Sequence, residues 1–281
     1  MPSYSVIIPA YNAESTVARA IRSAREQQPR MVEVIVACDG CTDRTLAVSE
    51  EEGAVVLDLP KANGSVARNQ GARVAAGDLF FFLDADDWWE AGKVESHLAV
   101  HKEFDGSFVT DRSTPRKLDG SPAYWRGGKD FDGEVEWQTF LSHQAWAGGS
   151  SFSVTKENYW RVNGFNEKLQ KFQDVDFWLR CAFECGPART ISKSYTNYRL
   201  SESGVSRKTE SIEQNLSDLF SGWPFVSSEQ KRAFRSYAFL LAAEFTPWPD
   251  SVPYFRKAHW PVLQRYFWKC VIQSFRARRM V

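Results

Sequence analysis

The sequence predicts an α/β fold with a mostly parallel central sheet flanked by helices, and two observations support this. Apolar runs of strand length alternate with helical patterns four times in about the first ninety residues, which implies parallel strands joined by right-handed crossovers. The run 79–83 (Leu-Phe-Phe-Phe-Leu) contains no polar residue, as expected for a strand buried on both faces of a parallel sheet. With 281 residues, the chain can form one large α/β domain with an appendage.

The elements follow in order from their periodicity and their stop signals. Strands are predicted at 5–10, 32–37, 54–59, 79–83, 107–111, 151–154 and 188–199. Helices are predicted at 14–25, 64–76, 135–146, 156–162 and 175–185, with one from near 44 and a helical pattern from 211 onward. Gly77 is expected to end the helix 64–76 as a left-handed cap. The polar, glycine-rich stretch 112–134 is interpreted as a hairpin or a loop.

The charge balance argues against a general nucleic-acid-binding protein, since 35 basic and 35 acidic side chains give a formal net charge of zero. The segment 255–281 is different, because it holds seven Lys and Arg and no acid. Its apolar residues fall on one helical face, which indicates either peripheral contact with a membrane surface or packing on the domain or on a partner subunit of a homo-oligomer. Both alternatives stay open.

Cysteine usage and the absence of long apolar runs bear on location. The five cysteines are an odd number and no secretory leader is visible, which predicts reduced thiols and a cytoplasmic protein, with the inner face of the plasma membrane as the site of any peripheral contact. Cys38-x-x-Cys41 and Cys181-x₃-Cys185 could together supply a zinc site. We disfavour that reading because the second pair falls on the apolar face of a helix, where cysteine behaves as a small hydrophobe.

Three carboxylates follow the buried run 79–83 directly, at Asp84, Asp86 and Asp87. The carboxyl end of a strand in an open α/β sheet borders the crevice where ligands bind. Like charges gathered there repel one another unless a cation or hydrogen-bond donors offset the cost. Hard divalent cations favour such oxygen ligands and often share them with phosphates. The alternative is a solvated acidic turn.

Four blocks of sequence carry a family resemblance. They are Ser5-Val-Ile-Ile-Pro-Ala-Tyr-Asn12; Asp39-Gly-Cys-Thr-Asp43; Ala67-Arg-Asn-Gln-Gly71 with Phe82-Leu-Asp-Ala-Asp-Asp87; and Gly164-Phe-Asn-Glu167 with Asp174-Val-Asp-Phe-Trp-Leu-Arg180. In this order they resemble the family 2 glycosyltransferases, inverting enzymes with the GT-A (Rossmann-like) fold. The resemblance implies a GT-A domain at 1–206, with a nucleotide-sugar half at about 1–110 and an acceptor half at about 111–206. A helical C-terminal extension would occupy 207–281.

The resemblance implies a role for each matched residue of the donor site. Pro9, Tyr11 and Asn12 would bracket the nucleobase, since an aromatic face stacks on a base with little sequence demand. Asp39 would accept the N–H of uracil, although an aspartate before Gly40 also suits a plain turn. Arg68 would lie near the base or the diphosphate, with a surface or helix-capping arginine as the alternative.

The same resemblance implies roles for the residues of the acidic turn. Asp84 would contact the ribose, Ala85 would line the same turn, and Asp86 would bind Mn²⁺ or Mg²⁺ through the diphosphate, where the ion neutralises the leaving group. We expect Asp87 to cap a helix beginning near Trp88.

Asp174 is the expected general base, taking the proton of the acceptor hydroxyl, and Asp176 is expected to support it through hydrogen bonds. Asp174 could also cap the helix 175–185. Gln173 stands where the family places a first acid, and losing that like charge should lower the pKa of Asp174. Ser201 stands where the family often carries a histidine, so the metal would rely on Asp86, phosphates and water. Nearby serines 203 and 206 are expected to contact the diphosphate.

Two functions follow from these assignments. The first is metal-dependent, inverting transfer of a sugar from a UDP-sugar to a hydroxyl of a glycan or a lipid-linked acceptor. The alternative, motivated by Gln173 and Ser201, is a non-catalytic nucleotide-sugar-binding or scaffold subunit of a glycan-assembly complex. A nucleotidyltransferase is disfavoured because the first loop, 9–12, is neither glycine-rich nor basic.

Overall fold

The computed structural model describes residues 2–29, 33–123, 132–141, 148–200 and 212–245, with side chains to residue 239 in the last range. The chain divides into two compact units, Met1–Glu167 with Gln173–Ser201, and Lys168–Phe172 with Glu202–Val281. The expectations for Ser201, for the serines at 203 and 206 and for the segment 255–281 lie outside the described residues, and the domain boundary near 206 stays a prediction.

The first unit contains one sheet with helices packed on it. Its strands are β1 (Tyr4–Ala10), β2 (Glu33–Asp39), β3 (Val55–Leu59), β4 (Leu79–Phe82), β5 (Trp88–Trp89), β6 (Val109–Arg116), β7 (Gly133–Val135), β8 (Phe152–Thr155) and β9 (Ala188–Arg199). Its helices are α1 (Val17–Arg25), α2 (Thr45–Glu51), α3 (Gly64–Val74), α4 (Lys93–Glu103), α5 (Trp137–Leu141), α6 (Lys156–Arg161) and α7 (Gln173–Glu184). The predicted α/β fold is confirmed.

The sheet has the order β3-β2-β1-β4-β8-β6-β9-β5, with β7 paired to β9. Strands β3, β2, β1 and β4 are parallel, as the alternation of strands and helices predicts. Beyond β4 the pairing is mixed, since β8 runs antiparallel to both β4 and β6 while β6 and β9 are parallel. The parallel half therefore brings several strand carboxyl ends to one edge.

Strand β4 is buried on both faces, as its apolar run predicts. Successive side chains of a strand point to opposite faces of the sheet. On one face, Phe81 packs with the cluster that includes the apolar stripe of α1. Phe82 points the other way and stacks on Phe152, with ring centroids 5.1 Å apart. A second stacked pair on that face, Phe165 and Phe177, lies at 4.7 Å. Burying such side chains contributes roughly 1.5–3 kcal/mol each.

The expected role of Gly77 is wrong. Helix α3 ends at Val74, the backbone of the following Ala75 is extended, and Gly77 has no left-handed φ. A Cβ on Gly77 would lie 2.6 Å from the backbone N of Ser5 and the carbonyl carbon of Tyr4. The glycine is therefore needed for the close approach of this turn to β1.

A fully buried polar cluster joins α4 to β6 and β9. The Lys93 ammonium pairs with the Asp111 carboxylate, and both side chains are 0% exposed. Lys93 also donates to the hydroxyl of Thr196 at 3.2 Å, and Asp111 accepts the backbone N–H of Tyr195 at 2.9 Å. Burial alone would raise the pKa of Asp111, but Lys93 and His97 outweigh burial and hold that pKa below its usual value. We call Lys93, His97, Asp111 and Thr196 the core cluster.

The second unit contains α8 (Ile212–Ser221) and α9 (Ser228–Phe245) among the described residues. Trp223, which is fully buried, meets Phe234 edge-to-face at 5.2 Å. Within the described residues, no helix has the length and apolar character needed to cross a bilayer.

Candidate functional site

The carboxyl ends of β1, β2 and β4 meet at one edge of the sheet. Ala10 of β1 is in register with Cys38 of β2, and the N–H of Leu83 donates to the carbonyl of Ile7 at 3.1 Å. Tyr11, Asp39 and Asp84 each follow one of these positions in the chain, so they line the same crevice. Of the other predicted residues, Pro9 lies within β1, in register with Ala37, and Asn12 follows Tyr11 in the loop after β1.

At the β1–β2 side of this crevice, Asp39 is almost fully buried, with 5% of its surface exposed. Its carboxylate accepts hydrogen bonds from the Lys61 ammonium and from the backbone N–H of Ala62, both at 2.6 Å. The Lys61 Nζ also lies 3.4 Å from the centroid of the Tyr11 ring, which is 53% exposed. Asn12, in the left-handed region with φ 47°, accepts the N–H of Thr42 at 2.8 Å and fixes the neighbouring loop.

At the end of β4 the chain makes a tight turn, closed by the N–H of Asp87 on the carbonyl of Asp84 at 3.0 Å. The expected helix cap at Asp87 is wrong, because Trp88 and Trp89 form β5. Asp87 is instead 1% exposed and accepts the Ser150 hydroxyl at 2.5 Å and the N–H of Arg199 at 2.8 Å. Asp87 thus ties the acidic turn to the start of β8 and the end of β9.

The carboxylates of this turn titrate unusually. Burial and the charge of Asp84 raise the pKa of Asp86 to about 6, although Arg199 and Arg19 oppose the rise. Burial, followed by the charges of Asp86 and Asp84, raises the pKa of Asp87 well above its usual value. Perturbed carboxyls in a crevice are typical of functional sites.

Arg68 connects the end of β4 to α7. One guanidinium nitrogen donates to Asp84 Oδ1 at 2.6 Å and another to Gln173 Oε1 at 3.0 Å. The Arg68 side chain is only 12% exposed. Because Gln173 is the first residue of α7, this bridge brings Asp174 next to the acidic turn.

Asp174 is partly buried, in the first turn of α7, and its Oδ1 accepts the N–H of Val175 at 2.8 Å. Burial raises its pKa to about 6, against the opposing effects of that N–H and of Arg68. The expected lowering, argued from the neutral Gln173, is therefore outweighed by burial. Asp176 is fully buried and paired with Arg180 at 2.5 Å, and its expected support of Asp174 stays a prediction.

Three further residues shape the site and were not assigned from sequence. Asn69 accepts the N–H of Phe165 at 2.9 Å and thereby joins two of the motif blocks. It lies in a matched block, but no role for it followed from the sequence. Ser150 accepts the N–H of Asp84 at 2.9 Å while donating to Asp87. The guanidinium carbon of Arg19 lies 3.5 Å from the centroid of the Trp88 ring, close to the acidic turn, and no local pattern signalled this.

Asp86 is the residue predicted to hold a metal ion, and its surroundings fit that role if most of the other ligands come from outside the protein. Within the described residues, no group of three or more His, Cys, Asp or Glu side chains could hold a metal ion. The Asp86 carboxylate is half-buried, and Asp84 lies close enough for its charge to raise the pKa of Asp86. A single carboxylate of this kind suits Mg²⁺ or Mn²⁺ when phosphates and water supply the other ligands.

The comparison with known families gives a match to "Glycosyl transferase family 2" over residues 5–195. "Amylovoran biosynthesis glycosyltransferase AmsB" of Erwinia amylovora is 27% identical over 257 residues, covering 85% of this chain and 84% of that protein. "Chondroitin synthase" of Escherichia coli is 28% identical over 223 residues, covering 76% of this chain but 31% of the synthase.

Among solved structures, S. aureus TarS 1–349 in complex with UDP-GlcNAc matches with a TM-score of 0.69. The match covers 98% of this chain and 89% of that chain at 16% identity. The same TarS fragment in complex with UDP matches with a TM-score of 0.59 at 18% identity. At these identities the likeness shows the fold.

Proposed function

The chain belongs to the family 2 glycosyltransferases, and from that premise we propose that it is an inverting, metal-dependent enzyme using a UDP-sugar and a hydroxyl acceptor. One observation carries the proposal. Asp174, a carboxyl with a pKa of about 6, is joined through Gln173 and Arg68 to Asp84 at the end of β4. A base is thereby held beside the carboxylates that would hold the donor.

The donor we propose is a uridine nucleotide-sugar. Tyr11, with its exposed ring, would stack on the base, Asp39 would accept the uracil N–H, and Pro9 and Asn12 would shape the loop around them. The rest of the proposed donor site would consist of Arg68, Asp84 and Ala85, which would contact the ribose and the diphosphate. The TarS fragment with a similar fold binds UDP-GlcNAc, which supports the choice of nucleotide without fixing the sugar.

In the proposed reaction, the ionised Asp174 accepts the proton of the acceptor hydroxyl as the hydroxyl oxygen attacks the anomeric carbon. The bond from that carbon to the diphosphate oxygen breaks with its electron pair on the leaving nucleoside diphosphate. Attack on the face opposite the leaving group inverts the configuration. A divalent ion bound at Asp86 would neutralise charge on the leaving diphosphate, while Arg68 holds Asp84 in place.

The acceptor we propose is a growing glycan or a lipid-linked saccharide of a cell envelope. The support is the names of the relatives, which concern amylovoran biosynthesis and chondroitin synthesis. The acceptor half would lie at about 111–206, on the far side of Asp174 from the donor. Peripheral membrane contact through 255–281 is part of the same proposal, because a lipid-linked acceptor lies at a membrane surface.

Calorimetric titration of the full chain with UDP and Mn²⁺ tests the donor site. We expect UDP binding that needs the ion and is lost in Asp86→Ala. Asp78→Ala is the matched control, because Asp78 is an exposed aspartate at the opposite end of β4. Absence of heat with UDP and Mn²⁺ together would contradict the proposal, whereas binding without hydrolysis or transfer would favour a scaffold subunit.

A further inference from the structure

Lys61 is held against the β2 loop by its backbone as well as by its side chain. Gly40 has φ +68°, and a Cβ there would lie 2.8 Å from the backbone N and Cα of Lys61. The N–H of Gly40 donates to the carbonyl of Leu59 at 2.8 Å, and the N–H of Ala62 donates to Asp39. The origin of the Lys61 side chain is therefore fixed relative to Asp39.

The Lys61 ammonium touches both groups assigned to the nucleobase. It lies 2.6 Å from Asp39 Oδ2 and 3.4 Å from the centroid of the Tyr11 ring. Atoms of stacked rings lie about 3.5 Å apart at their optimum. The ammonium therefore lies at the height above Tyr11 that a stacked base would take, and a small sideways shift would leave it at the edge of that base.

We propose that Lys61 determines nucleobase specificity together with Asp39, a step that rests on the proposed donor site. The pair opens to accept a lactam edge, in which a ring N–H adjoins a carbonyl, as in uracil. The N–H donates to Asp39 and the carbonyl oxygen accepts from Lys61. Each charge that loses its partner gains a hydrogen bond, so opening the pair leaves neither group unsatisfied.

The same pair discriminates against the opposite edge. Cytosine presents an unprotonated ring nitrogen to the Asp39 carboxylate and an amino group to the Lys61 ammonium. Both contacts are repulsive, and Asp39, which is almost fully buried, would lose a donor on opening. Repulsion of the wrong ligand is an effective source of specificity. Guanine carries a lactam edge too, so the pair selects for that edge and leaves base size to the surrounding loop.

Lys61→Met tests this, because it removes the ammonium and keeps the length of the side chain. The full chain is titrated with UDP or with CDP in the presence of Mn²⁺. We expect the variant to bind UDP about tenfold more weakly, because one charged hydrogen bond to the base is lost. Its affinity for CDP should not fall. Lys102→Met, at an exposed lysine of α4, should change neither affinity. Thermal melting of each variant checks that it is folded.

Two results would overturn the inference. Unchanged or tighter UDP binding by Lys61→Met would mean that the ammonium only covers the Tyr11 ring. Equal weakening for UDP and CDP would mean that Lys61 acts on the phosphates through its charge. Failure of the wild-type chain to bind any uridine nucleotide would overturn the donor site itself, which separates that failure from a failure of Lys61.

Discussion

Two groups of charged side chains in the first unit are built in opposite ways. In the core cluster, Lys93 and Asp111 are fully buried and paired with each other, and the pKa of Asp111 lies below its usual value. At the candidate site, burial raises to about 6 the pKa of Asp86, just after β4, and the pKa of Asp174, in the first turn of α7. The first arrangement pairs each of these two charges with an opposite one, although burial still lowers the pKa of Lys93. The second keeps carboxylates in an environment that disfavours their charge.

The difference shows which charged groups the fold cannot lose and which are available for chemistry. A buried pair contributes little net stability, but removing one partner leaves an uncompensated charge and is costly. A carboxylate with a raised pKa costs stability when ionised, yet it can exchange protons near neutral pH. Lys93 should therefore matter for folding and little for catalysis, and Asp174 the reverse.

The largest effect is expected for Asp174→Asn. Removing the base should lower kcat by about 10²–10⁴, with UDP binding retained, because the amide keeps the shape of the side chain. The unfolding free energy should rise at pH 8, by at most about 3 kcal/mol, because the Asp174 carboxyl, whose pKa is raised from 3.8 to about 6, no longer has to ionise in the folded state. Single-turnover kinetics and urea unfolding measure the two quantities, and normal turnover would exclude Asp174 as the base.

Lys93→Met should give the opposite result. The variant leaves Asp111 buried without its main partner, so the unfolding free energy should fall by about 3–5 kcal/mol. The turnover of the folded fraction at low temperature should stay close to that of the wild type. Lys102→Met, an exposed lysine on the same helix, should shift stability by less than about 0.5 kcal/mol. A stability loss of similar size in both variants would contradict the contrast.

The pH dependence should be the smallest effect, about tenfold in activity per pH unit below pH 6. Asp174 must be ionised to accept a proton, so activity should rise as pH rises through its folded pKa of about 6. Stability should move the other way between the ordinary pKa of 3.8 and about 6, because the folded state binds this proton more tightly than the unfolded state.

Asp174→Asn should reduce this second trend without abolishing it, because Asp86 and Asp87 also have raised pKa values. The contribution of Asp111, whose pKa is lowered, should persist until the pH falls below its usual 3.8. Urea unfolding across pH 4.5 to 8 compares the wild type with Asp174→Asn. If wild-type activity were flat across pH 5 to 7, the raised pKa of Asp174 would have no catalytic consequence.

Much of the fold follows from local pattern. The alternation of apolar strands and amphipathic helices predicts the parallel half of the sheet, and the apolar stripe of α1 is buried as its periodicity implies. The acids that follow β4 reach the crevice because a buried strand must end at the edge of its sheet. The antiparallel pairing of β8 with β4 was not predictable in this way, because pairing partners distant in sequence leave no periodic signal.

The sequence by itself therefore determined the α/β architecture, the position of the acidic turn and the family to which the chain belongs, since these depend on residue type and order. Only the tertiary structure decided what each charge does. Asp87 meets Ser150 and Arg199 across 63 and 112 residues, and burial sets the pKa of Asp174. Hydrogen-bond partners and dielectric environment come from folding together segments that are far apart in the chain, so no local reading of the sequence contains them.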